Sequence, residues 1–188
     1  MELDRAINSR QSTRSYKPRK PDWRDILECI DATRQAPMVG NIFSLQFIVI
    51  KDEKVIKKLA ELSSQDFVER AKYVVAFISK TKKTKLSFKN RAKKYLPQQA
   101  GAAIQTFLLK LQEIGLSTCW IGHFRDDEVK KLLKVPEDNE VEAFFPIGYS
   151  NEKQKPKQAK GDLYELLYFD KWGNRRMKDI RGNTRLEG

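Results

Sequence analysis

Between residues 97 and 115 the apolar side chains Ala103, Ile104, Phe107, Leu108, Leu111 and Ile114 recur at steps of three and four. That spacing places them on one face of an α-helix, and a face so apolar must be covered by something equally apolar. Small residues at Ala100, Gly101, Ala102 and Ala103 let another backbone approach its first turns, and Gly115 supplies a C-terminal stop. Any fold available to this chain has to wrap around that helix. Residues 47–50 and 73–79 are short bounded apolar runs and predict buried strands. The partial alternation of Val141, Ala143, Phe145 and Ile147 predicts a further strand despite Pro146.

The remaining segments are shorter. Leu3, Ala6 and Ile7 share one face of a helix over 2–10, and Asp22 is placed to cap a helix through Thr33 with Ile26, Leu27 and Ile30 turned inward. Residues 36–41 read as a loop, and 55–62 return to helical spacing with Leu59 and Leu62 as core positions. Cys119, Trp120 and Ile121 suggest a brief strand, Asp126 a cap for a helix that Pro136 stops, and 163–169 one more strand. Helices and strands are mixed rather than alternating, and neither G-x-G-x-x-G nor G-x-x-x-x-G-K-[ST] occurs. The pattern predicts an α+β domain in which helices cover a small sheet, not a doubly wound dinucleotide fold.

Composition removes several function classes. Only one histidine, His123, is present, and Cys29 and Cys119 stand far apart, so no metal site and no disulfide framework are expected. No run approaches the roughly 18 to 20 apolar residues of a membrane span, and the N-terminus lacks an apolar leader. A soluble cytoplasmic protein with no membrane partner is the expectation. The chain carries 37 basic and 25 acidic residues, a formal charge of +12. From Lys80 to Lys94 there are eight Lys or Arg and no acid, interrupted by Leu86 and Phe88, which predicts a partly helical, solvated segment. Basic residues here and after Lys171, with Phe88, Tyr95 and Trp172, suit nucleic-acid backbone contact and stacking. Without a Cys/His finger or an aromatic ribonucleoprotein motif, no dedicated nucleic-acid partner is expected.

Arg10, Gln11, Ser12, Thr13 and Arg14 put two guanidinium groups and two hydroxyls within five residues. Guanidinium forks grip phosphate oxygens, and a serine adds a shorter bond; a solvated turn is the plainer reading of the same residues. Lys153, Lys155, Lys157 and Lys160 form a second cationic patch around Pro156. One phosphate needs donors from more than one direction, so the two patches are informative only together.

Four separated segments resemble the flavin-dependent nitroreductase family. They are residues 10–14; Ala36-Pro37-Met38-Val39-Gly40-Asn41; Gly101-Ala102-Ala103-Ile104-Gln105 running on to Gly115-Leu116-Ser117-Thr118-Cys119-Trp120-Ile121-Gly122; and Pro146-Ile147-Gly148-Tyr149 with the lysine loop and 163–172 behind it. They stand in the family's order. The resemblance implies a single FMN-binding domain over 1–173 with a basic tail over 174–188, a central mostly antiparallel sheet flanked by helices, and an intertwined homodimer with FMN at the subunit interface. It implies Arg10, Ser12 and Arg14 as phosphate ligands, Gln11 beside the flavin ring, and Lys160 with Lys157 as later phosphate ligands. Asn41 would approach the isoalloxazine, Gln65 its ribityl or pyrimidine side, and the backbone amides of Gly122 and His123 flavin N5 and O4. Where the family follows the asparagine with a variable residue and then glutamine-proline-tryptophan, this chain has Ile42-Phe43-Ser44-Leu45, and Met38-Val39 replace small polar residues.

The implied activity is electron transfer from NADH or NADPH through FMN to an electron-poor acceptor such as a nitroaromatic or a quinone. No side chain acts as nucleophile. His123 contributes through its backbone rather than as a general acid, and both cysteines are small buried hydrophobes. A flavin-binding protein with a storage, sensing or unusual oxidation role is the alternative within the same fold.

Overall fold

The computed structural model of this protein describes residues 2–153 and 161–177. The chain divides into two compact units, Met1–Lys155 and Pro156–Gly188. In the first unit, β1 (Leu45–Ile50), β2 (Tyr73–Ser79), β3 (Ser117–Thr118) and β4 (Glu140–Gly148) form one sheet in the order β1-β2-β4-β3, with every neighbouring pair antiparallel. Around it lie α1 (Leu3–Ser9), α2 (Trp23–Ala32), α3 (Glu53–Ser63), α4 (Thr81–Phe88), α5 (Ala92–Glu113) and α6 (Asp126–Leu133).

All seven residues of β2 are buried, because this central strand is covered on both faces. Tyr73, Val75 and Phe77 point into one core with Ile26 and Cys29 of α2 and Ala103, Ile104, Phe107 and Leu111 of α5. Val74, Ala76 and Ile78 point into the other, with Ile56 and Leu59 of α3 and Val129 of α6. The period-two geometry of a strand thus divides one apolar run between two layers of helix. Phe77 is the hub of the first core, edge-on to Phe47 at 4.8 Å, Phe107 at 5.1 Å and Phe145 at 5.0 Å. No helix among the described residues is long and apolar enough to cross a membrane.

The α+β architecture matches the expectation, with instructive local differences. Phe77 pairs with Ala143 but Ile78 pairs with Val141, so Glu142 is an extra residue in a β-bulge. The bulge turns Val141 into the α3–α6 core, away from the Ala143 face. Burial raises the pKa of the Glu142 carboxyl. The 22-residue α5 starts at Ala92, with Pro97 inside it. Pro97 is its sixth residue, past the first turn, so its ring nitrogen offers no N–H to the Lys93 carbonyl.

Asp22 caps α2 by accepting from the Arg24 N–H at 2.9 Å, but Cys29 joins Ile26 in the core while Leu27 faces out. The N-cap of α6 is Arg125, without a side-chain bond, and Asp126 is already helical. The brief strand lies at Ser117–Thr118 rather than 119–121, with Ile121 pairing alone to Phe144. In the second unit, 163–169 is not a strand. The Asp162 carboxylate accepts from the Tyr164 N–H at 3.0 Å and starts the short helix α7 (Leu163–Leu166), an N-cap overriding an apolar run.

Replacing Phe77 with alanine empties the hub and is expected to cost about 3–5 kcal/mol of stability. Urea unfolding should show a lower midpoint with an unchanged slope.

Candidate functional site

The chain leaves α1 at Arg10 in an extended conformation. Ser12 bridges in parallel to Thr118 on β3, and the Thr13 N–H donates to the Thr118 carbonyl at 3.0 Å. Tyr16 then bridges to Ser150, with Lys17 N–H to Tyr149 O at 2.8 Å and Asn151 N–H to Ser15 O at 3.0 Å. Residues 12–17 are thereby stitched to β3 on one side and to the continuation of β4 on the other. In an extended chain alternate residues share a face. Thr13 is fully buried while Ser12 and Arg14 are exposed, so Arg10, Ser12 and Arg14 fall on the outward side.

Two residues to which the sequence assigned no role hold this segment. One oxygen of Glu152 accepts the N–H of Arg14 at 2.6 Å and of Ser15 at 2.8 Å. The Tyr16 hydroxyl donates to the Thr13 and Pro146 carbonyls, 2.8 and 3.1 Å away. Its ring lies so close over β4 that a Cβ on Gly148 would stand 2.7 Å from it, which gives the Ile147-Gly148-Tyr149 motif a steric reason. Burial raises the tyrosine pKa, and the nearby Cys119 and Glu152 add to the effect.

The 119–123 loop joins the same neighbourhood. Burial raises the Cys119 thiol pKa, opposed by the positive charges of Arg14 and Arg10 and by a hydrogen bond with Ser12. Both guanidinium groups therefore act on one point beside β3. Ile121 pairs with Phe144, and the Arg125 N–H donates to Leu62 O at 3.0 Å, so Gly122 and His123 form an exposed arch anchored at both ends. Among the described residues neither arch amide has an acceptor. Trp120 lies 6.0 Å from Phe145, and its indole nitrogen lies 3.4 Å from where a Gly122 Cβ would stand. The Arg14 guanidinium carbon is 5.9 Å from the Phe67 ring centroid, which brings in the segment that follows half-buried Gln65. Gln11 donates to Lys153 O at the long distance of 3.5 Å. Lys157 and Lys160 lie outside the described residues.

Asn41 belongs to a separate structure. It and Gly40 both take left-handed backbone angles, φ +55 and +56, in a turn closed by the Asn41 N–H on Met38 O. Gln99 of α5 buries its amide there, accepting from the Val39 N–H at 3.3 Å and donating to Ser44 Oγ. Ser44 is one of the departures from the family pattern, and this hydroxyl is what it supplies. Gln99 had a visible signal: a polar residue between Leu96 and Ala103 on a buried helical stripe. No hydrogen bond or ring contact among the described residues joins the Asn41 turn to the arginine segment. The predicted site residues therefore fall in two separate places on the chain.

Such an arrangement can grip a dianionic phosphate at the 10–14 segment and present free amides beside it. The nitroreductase family's sequence pattern matches residues 7–73 and 60–149. The chain belongs to the nitroreductase family. A putative NADH dehydrogenase/NAD(P)H nitroreductase of Archaeoglobus fulgidus is 27% identical over 179 residues, covering 88% of this chain and 96% of the relative. An iodotyrosine deiodinase of Thermotoga neapolitana is 24% identical, covering 82% and 91%. Among solved structures, an FMN-dependent nitroreductase from Clostridium difficile R20291 superposes with a TM-score of 0.76 at 23% identity, covering 89% and 98%. The antiparallel sheet flanked by helices is this family's fold, and membership makes the chain an oxidoreductase in general terms.

Glu152→Ala leaves two backbone amides without their acceptor and is expected to destabilise the first unit by about 1–3 kcal/mol. Glu152→Gln keeps an oxygen for them and should recover most of the loss, as read by thermal unfolding of both variants.

Proposed function

We propose that this nitroreductase-family chain is a homodimeric, FMN-dependent oxidoreductase that carries electrons from NADH or NADPH to a small electron-poor acceptor, such as a nitroaromatic or a quinone. The observation that carries the reading is the projection of Arg10, Ser12 and Arg14 from one side of a stitched extended segment beside the 119–123 loop. This donor set fits the cofactor's phosphate. Two guanidinium forks neutralise it, and the serine hydroxyl adds a short bond. The relative named as an NAD(P)H nitroreductase and the solved FMN-dependent structure support the same assignment.

Arg10, Ser12 and Arg14 would hold FMN by its phosphate, and the cofactor would supply two-electron redox chemistry between reduced nicotinamide and the acceptor. The chain's residues do the holding and the electrostatics. The arch amides of Gly122 and His123 are preorganised donors for negative charge developing on a ring edge, which makes a side-chain role for His123 unnecessary. Gln11, within the arginine segment, and Gln65, two residues before the Phe67 that Arg14 approaches, are the proposed polar neighbours of the ring. Lys157 and Lys160 are proposed as further phosphate ligands on the family resemblance alone. Burial raises the Cys119 thiol pKa and pushes the Cys29 thiol up to about 12, which disfavours the thiolate at both.

The Asn41 half-site is best completed by a second copy of the chain. Leu3 and Ile7 on α1, Trp23 and Leu27 on α2, and Phe43 after the Asn41 turn are all exposed apolar groups. A surface of this kind is suited to burial in a dimer that brings one copy's Asn41 turn to the other's arginine segment.

Purified protein should be yellow and release FMN, and NADH or NADPH should bleach it under anaerobic conditions. Arg14→Ala should weaken FMN by about ten- to a hundredfold while changing riboflavin, which has no phosphate, far less. Equal losses for both ligands, read by fluorescence titration, would contradict the phosphate assignment.

A further inference from the structure

We propose that the outward face of α4, with the turn that leads into α5, docks the protein on an anionic lipid bilayer. This surface is independent of the flavin-dependent function above. Residues 80–94 hold eight lysines and arginines, and no acidic residue occurs between Glu69 and Glu113. All eight cations are exposed, and among the described residues none of them pairs with a carboxylate. Several cations elsewhere are neutralised: Lys58 meets Glu61 at 2.7 Å, Lys110 meets Glu28 at 2.9 Å, and Lys130 meets Glu140 at 3.2 Å.

The fold gains nothing from this clustering. Thr81, Thr84 and the half-buried Phe88 turn inward at steps of three and four, which leaves Lys82, Lys83, Lys85, Leu86 and Lys89 on the outward side. Lys82 and Lys85 are one helical turn apart and repel each other, as do Lys85 and Lys89. Lys82 and Lys83 lie in the first turn of α4, and Lys93 and Lys94 in the first turn of α5, where the helix dipole favours acids. Charges set against one another and against two helix ends become favourable only opposite an external anion.

A bilayer fits this face better than a nucleic acid or a second copy of the chain. Leu86 is 74% exposed in the midst of the lysines. A lipid interface buries such an apolar group while the lysine stems carry their charges up to the headgroups; a phosphodiester backbone offers the leucine nothing. Base stacking needs a free aromatic face, and both rings of the segment are engaged. Phe88 packs over Gly40 and stands edge-on to Tyr95 at 5.5 Å, while the Arg91 guanidinium lies over the Tyr95 ring, 5.4 Å from its centroid. A second copy carries the same +12 surplus, so this face is the least suited to meet it. Clusters of about four to eight Lys or Arg on an amphipathic helix are what anionic lipids attract. Peripheral docking of this kind needs no spanning helix. The expectation of no membrane partner followed from the lack of a spanning segment, and the described residues contain no such helix; neither bears on a docking face.

The test sediments the full chain with sucrose-loaded vesicles of phosphatidylcholine, alone or mixed with phosphatidylglycerol, at low and at physiological ionic strength. Binding is expected only where phosphatidylglycerol is present, and it should weaken as salt is added. Lys82→Gln combined with Lys85→Gln should lower the affinity about tenfold or more. Lys54→Gln combined with Lys57→Gln removes the same charge from exposed positions on α3 and should change it by less than about twofold. Leu86→Ala should weaken vesicle binding several-fold, because it removes the group that the lipid buries, and should leave the affinity for a labelled DNA duplex unchanged. Equal losses from the two lysine pairs would assign the binding to net charge and overturn the docking face. So would a failure to bind the phosphatidylglycerol vesicles, a Leu86→Ala variant that binds them as tightly as its parent, or a DNA duplex bound more tightly than those vesicles at physiological salt.

Discussion

The main-chain pairing of residues 12–17 with β3 and with 149–151 organises the candidate site. An isolated five-residue stretch with two arginines is a flexible polymer of like charges. Sewn between two strands, it becomes a rigid edge whose odd and even positions have different fates. Thr13 goes into the core, and Arg10, Ser12 and Arg14 go outward. Glu152, Tyr16 and Gly148 all serve that stitching: one accepts two amides, one ties the segment to β4, and one makes room for the ring.

Much of this was legible in the sequence because it depends on periodicity. The long apolar face of α5, the run of β2 and the Asp22 cap each follow from local spacing and appear where expected. What the sequence concealed depends on registration between distant segments. The Glu142 bulge arises only when β4 is laid against β2, and it reverses the side to which Val141 belongs. Glu152 reads as one more acid in a lysine-rich loop until residues 149–151 pair with 15–17. In the 163–169 run, composition argued for a strand and the Asp162 cap decided for a helix.

The site shows the same division. Arg14 approaches Phe67, two residues past Gln65, and Arg10, Ser12 and Arg14 all act on Cys119, at the start of the loop that carries Gly122 and His123. Asn41 is held instead by α5 through Gln99, in partnership with a serine that departs from the family pattern. Joining one copy's Asn41 turn to the other's arginine segment would give the proposed dimer a chemical purpose, and the apolar residues exposed on α1 and α2 are an area for it to bury. The +12 charge then has a specific place to act at the arginine segment.

The central claim is that the arginine segment is a phosphate cradle, and the phosphorus nucleus of the bound cofactor reports on it directly. A free phosphate monoester gains its second charge with a pKa near 6. Held by two guanidinium groups, it should remain a dianion, so the ³¹P resonance of bound FMN should stay flat across that pH range while free FMN titrates. A bound resonance that titrates as the free ester does would place the phosphate in solvent and contradict the account.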